Sequence, residues 1–154
     1  CRIVNTVSCT YAIGRIEPDF FEKGKNGRFF RIPVYGNTKL ALLLFTQELA
    51  KRIQDKGITI NASDPGIVST NMITMQAWFD PLTDILFRPF IKTPAQGAAT
   101  AIHLALSNEA KDKNGCCYAN CKKRNVSERI RHHTQQKQLW DDTEILLQQK
   151  GIRF

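Results

Sequence analysis

Near the start of this chain an apolar β-branched run, an amphipathic helical repeat and a second β-branched run follow in that order. No other feature narrows the fold as much. Residues 2 to 8 (RIVNTVS) carry Ile3, Val4 and Val7 without polar alternation, the pattern of a strand buried on both faces. Pro33 suits the first turn of a helix, and Leu40, Leu43, Leu44 and Leu49 continue at helical spacing to about Lys56, with Gly57 as C-cap. Residues 58–62 give the next strand. Thr93 and Pro94 read as an N-cap followed by Pro at the first helical position, opening a helix carried by Ala98, Ile102 and Leu106. Residues 115–121 (GCCYANC) read as a third, buried strand, and residues 127–149 as one or two terminal helices. Alternating strands and helices predict an α/β fold with a parallel sheet of about three strands.

With 154 residues, 42% of them hydrophobic, the chain is long enough to bury a core as a single domain. Its formal net charge of +8 comes from scattered Lys and Arg, with one modest cluster at Lys122, Lys123 and Arg124. No nucleic-acid-binding signature accompanies that cluster, so it reads as a solvated face and no nucleic-acid partner is expected. The five cysteines form no C-x-x-C pair, and Cys116, Cys117 and Cys121 with His132 and His133 fit no zinc spacing, so no metal is expected. Mostly buried free thiols suggest a reducing, cytoplasmic compartment. The longest apolar run, LALLLF, is far too short to span a bilayer.

The chemistry concentrates at Tyr35 and Lys39, in PVYGNTKLALLLF. Four residues apart on a helix, the two side chains share one face. A free phenol titrates near about 10 and is a poor base at neutral pH. A cation about 4 Å away, at an effective dielectric near 20, offers about 4 kcal/mol toward phenolate, enough for proton exchange with an alcohol or ketone. Upstream, the strand at residues 2–8 delivers Ser8. Downstream, ITINASDPGIVSTNM ends a strand in Asp64, Pro65 and Gly66.

A strand ending in Ser, a helix with Tyr-x-x-x-Lys and a strand ending in Pro-Gly, in that order, resemble the short-chain dehydrogenase/reductase family. The resemblance extends from Arg2 to the region of Trp140. The Ser-to-Tyr spacing and FIKTPAQGAATAIHLAL look like the retinol-dehydrogenase-like branch. It implies the C-terminal part of a Rossmann-type doubly wound sheet and an NAD(P)-dependent interconversion of an alcohol with a ketone or aldehyde. By the family pattern Ser8 donates to the substrate oxygen. Tyr35 acts as general acid or base, and Lys39 favours its ionised form and binds the nicotinamide ribose. Pro65, Gly66, Val68 and Thr70 would contact the nicotinamide end, Val68 through its backbone amide and Thr70 at the carboxamide or phosphates. Asp64 departs from the small or aromatic residues common before that Pro-Gly pair. The branch resemblance favours NADP over NAD. Residues 71–90, rich in Phe, Met and Trp, would roof a pocket for a small lipophilic substrate. The helix at residues 33–56 resembles the family's subunit-contact helix, with Leu42, Phe45 and Leu49 outward, which implies a homodimer or larger.

The sequence holds no G-x-x-x-G-x-G or G-x-G-x-x-G, the turn that seats a dinucleotide pyrophosphate on a helix N-terminus. Residues 1–154 are therefore read as the C-terminal catalytic half of a longer dehydrogenase, inactive in isolation. The alternative is a non-catalytic fragment or interaction module that binds no cofactor.

Overall fold

The computed structural model describes residues 1–18, 20–21, 31–68 and 91–152. Among these residues four strands form one sheet: β1 (Arg2–Thr6), β2 (Thr59–Asp64), β3 (Cys117–Ala119) and β4 (Lys122–Arg124). They lie in sequence order. β1 pairs with β2 in parallel, Asn5 opposite Ala62, and β2 pairs with β3 in parallel, Ala62 opposite Cys117. β4 is antiparallel to β3. The α-helices among the described residues are α1 (Arg31–Arg52), α2 (Pro94–Leu106), α3 (Glu128–Arg131) and α4 (Gln136–Gln149).

The helices cover both faces of the sheet. On one face Asn5 Nδ2 donates to Thr46 Oγ1 of α1 at 2.9 Å, and Ile60 packs with Ala50 and Ile53. The main core gathers Val7, Tyr11, Leu40, Leu43, Leu44, Ala62 and Cys117, closed by Val126, Ile130 and Leu139 from the C-terminal segment. On the other face the Arg2 guanidinium donates to the carbonyls of Leu104, Ala105 and Ser107 at the end of α2. Val4 packs there with Leu104, Ala110 and Tyr118. Side chains two apart along β1 therefore serve the same layer, as the pleat requires.

Several boundaries differ from the sequence reading. β1 ends at Thr6 rather than Ser8, and Ile3 keeps 37% of its surface exposed where the apolar run predicts burial; Val7, one residue beyond the strand, is fully buried. α1 begins before Pro33, which still falls in its first turn, and ends at Arg52, the chain turning from there to Gly57. β2 runs on to Asp64 because β3 pairs with its last three residues. The run at residues 115–121 is not one strand. Asn120 and Cys121 take successive left-handed conformations (φ 52° and 58°), which reverse the chain into the hairpin with β4. α2 has the expected Thr93 N-cap, which Gln96 completes as a capping box, yet buries Gly97, Thr100 and Leu104 and leaves Ile102 and Leu106 outward. Its inner face follows the small residues that let the helix approach the sheet.

Candidate active site

The site is built at the carboxyl ends of β1 and β2, where open α/β sheets bind ligands. Val7 N–H donates to Ser63 O at 2.9 Å, extending the pairing one residue beyond β1. Ser8 then caps a 3-10 turn, Cys9–Ile13, with its Oγ accepting from Thr10 N–H at 3.4 Å. The turn docks against the first turns of α1 through two glycines. A Cβ on Gly14 would stand 2.4 Å from Gly36 O and 2.8 Å from Leu40 Cβ. Asn37 Oδ1 accepts from Arg15 N–H at 2.8 Å and ties the next residue to the same helix. The loop that carries Ser8 is thus fastened to the helix that carries Tyr35.

On α1, Lys39 Nζ donates to Thr6 O at 3.0 Å, two residues before Ser8, and lies 5.4 Å from the centroid of the Tyr35 ring. Tyr35 is 39% exposed, open to a reactant. The structure therefore brings Ser8, Tyr35 and Lys39 to the end of β1. Asn5, which flanks them in sequence, points instead to Thr46.

At the end of β2, Gly66 has φ +77°, a conformation that favours glycine, and the turn is pinned from both sides. Gly66 N–H donates to Asp64 Oδ1 at 3.0 Å, and Lys92 Nζ donates to Pro65 O at 2.9 Å and to Asn120 Oδ1 at 2.6 Å. Val68 bridges Lys92 in parallel, and its side chain packs toward Gly97. Thr70 and residues 71–90 lie outside the described residues.

Sequence reasoning missed the polar network beneath the turn. Asp64 is only 2% exposed and accepts from Arg124 Nη1 through Oδ2 at 2.9 Å. Arg124 also lies over the Tyr11 ring, 5.9 Å from its centroid. Burial, aided by repulsion from Asp64, pushes the Cys117 thiol up to about 11, while Tyr11 hydrogen-bonds it and is itself raised, chiefly by burial. A signal was present in the sequence: a carboxylate at the end of a buried strand needs a counter-charge, and the Lys122–Arg124 cluster supplies one. Among the described residues, no three His, Cys, Asp or Glu side chains are grouped to hold a metal ion.

The arrangement has known counterparts. An uncharacterized protein from Mycobacterium Paratuberculosis superposes on 96% of this chain and 50% of its own, with a TM-score of 0.64 at 22% identity. NADPH bound carbonyl reductase from chicken fatty liver matches 82% of this chain and 43% of its own, with a TM-score of 0.54 at 18% identity. At those identities the likeness establishes the fold. A short chain dehydrogenase family profile matches residues 23–78, which include Tyr35, Lys39, Pro65 and Gly66. This chain belongs to the short-chain dehydrogenase/reductase family. It is similar to retinol dehydrogenase 12 of Mus musculus, 39% identical over 140 residues, 91% of this chain and 43% of that protein. The chain thus spans less than half the length of the curated relatives it matches.

Proposed function

We propose that residues 1–154 form the proton-transfer and nicotinamide-facing part of an NAD(P)-dependent oxidoreductase that interconverts an alcohol with a ketone or aldehyde. One observation carries this reading. The Lys39 ammonium is anchored on Thr6 O at the end of β1, beside an exposed Tyr35 and two residues from Ser8. The residues present fit the nicotinamide end of a dinucleotide: an open Tyr-Lys pair and a side-chain-free, left-handed turn at Gly66. They do not supply the Gly-rich pyrophosphate turn, which the sequence lacks. NAD(P), when bound, supplies or accepts the hydride.

Within this proposal Ser8 Oγ donates to the substrate oxygen and stabilises its developing negative charge. Tyr35 passes a proton to that oxygen, or takes one from it, through its phenol. Lys39 places a cation beside the phenol and faces the nicotinamide ribose. Pro65, Gly66 and the Val68 backbone border the ring, with Thr70 as a further contact. The names of the relatives, a retinol dehydrogenase and an NADPH bound carbonyl reductase, support a small lipophilic substrate and NADP over NAD. Five unpaired cysteines support a reducing compartment, here proposed to be the cytoplasm. Among the described residues no helix is long and apolar enough to cross a membrane.

The isolated 154 residues are proposed to be inactive, for want of the pyrophosphate turn. The test is calorimetric titration with NADPH and NADH, and retinal reduction, on residues 1–154 alone and joined to a Gly-rich dinucleotide-binding half. Binding and turnover in the joined polypeptide alone is the expected result. No NAD(P)H binding or oxidation in either would overturn the assignment and favour a non-catalytic module.

A further inference from the structure

Asp64 has both carboxylate oxygens committed in a nearly solvent-free position, Oδ1 to Gly66 N–H and Oδ2 to Arg124 Nη1. A buried carboxylate is tolerated only with its charge compensated and its lone pairs satisfied. Arg124 supplies that compensation from the hairpin, 60 residues away in sequence. Asn120, in the turn of the same hairpin, receives the Lys92 ammonium that also holds Pro65 O. The hairpin therefore grips the Pro65–Gly66 turn on two sides, through Asp64 and through Lys92. The same guanidinium faces the Tyr11 ring in the turn that follows Ser8.

We infer that Arg124 is a positioning residue for the Pro65–Gly66 turn, acting through Asp64 and joining that turn to the loop that carries Ser8. The inference rests on reading the turn as the nicotinamide side of a cofactor site. Without the guanidinium, Asp64 is a buried charge with one oxygen unpaired, and the cheapest relief is to swing outward and release Gly66 N–H. Asparagine at position 64 keeps an oxygen for Gly66 N–H and carries no charge, so it removes the need for Arg124. A pair that merely stabilised the whole fold would predict no such rescue.

Amide hydrogen exchange at Gly66 in the 154-residue chain tests the mechanical part. Arg124→Gln should speed it by about tenfold, the loss of one charge-assisted hydrogen bond, while core amides such as that of Ile60 keep their protection. Asp64→Asn combined with Arg124→Gln should bring the rate back to within about threefold of wild type. In the polypeptide joined to a dinucleotide-binding half, the KM for NADPH should rise about tenfold in Arg124→Gln with kcat changed far less, and should recover in the double variant. An unchanged Gly66 amide in Arg124→Gln, or a double variant as defective as the single one, overturns the inference. If the joined wild-type polypeptide does not bind NADPH, the cofactor reading fails, and the exchange measurement still decides whether Arg124 holds the turn.

Discussion

Burial pushes the Cys117 thiol from an ordinary value of 9.0 to about 11, and that shift is a statement about stability. The unfolded chain releases the thiol proton near pH 9, whereas the folded chain keeps it until about pH 11. The folded state thus binds more protons in that window. Its contribution is complete below about pH 9 and is lost as pH rises through about 11. The loss is on the order of 2 kcal/mol. Urea unfolding at pH 8 and pH 10.5 should show an extra fall in wild type that Cys117→Val lacks; parallel falls in the two proteins would contradict it. At this scale the proposed site residues were the ones that spacing alone could single out. Tyr35 and Lys39 needed only a helix, and Ser8 and Gly66 only the ends of two strands. Asp64 signalled a need for a counter-charge, but which cation supplies it was not legible, because 60 residues separate Asp64 from Arg124 and a sheet register brings them together. Arg124 on its own looks like one more surface cation.

Among the elements, the contact between the 3-10 turn and α1 sets where Ser8 stands relative to Tyr35. Gly14 has ordinary extended backbone angles, φ −66° and ψ 153°, so only space demands glycine there. An added methyl would meet Gly36 O at 2.4 Å, and neither backbone can yield without moving the turn. Gly14→Ala should cost about 1–3 kcal/mol and lower turnover of the joined polypeptide as well, read by thermal melting and retinal reduction. An unchanged melting temperature would show that the turn is not fastened this way. The long helix and the two parallel strands were legible because each carries its own periodicity. The hairpin was not, because Asn120-Cys121 lacks the glycine that usually marks two left-handed residues. The inner face of α2 was misread for a related reason. Gly97 and Thr100 are buried for their small size, which no hydrophobic pattern reports.

At the scale of the whole molecule, self-association is proposed from surfaces left open among the described residues. Among the described residues β1 lies at the sheet edge, and Ile3, Ile102 and Leu106 are exposed. Open apolar edges invite pairing with another chain. Helix α1, read from the sequence as residues 33–56, remains the proposed subunit contact, with less apolar surface than its sequence suggests. The Phe45 ring stacks on Trp140 of α4 at 5.2 Å, and Leu49 packs with the Ile53–Ile60 cluster. Light scattering should find a dimer or larger species for the 154-residue chain, and a monodisperse monomer would contradict that. The central claim concerns chemistry, and the replacement of Tyr35 by Phe tests it most directly. The substitution keeps the ring and removes only the hydroxyl of a residue that is 39% exposed, so the fold should be little affected. In the joined polypeptide, kcat for NADPH-dependent retinal reduction should fall by about 10² or more with an essentially unchanged melting temperature. Near-normal turnover in Tyr35→Phe would contradict the account.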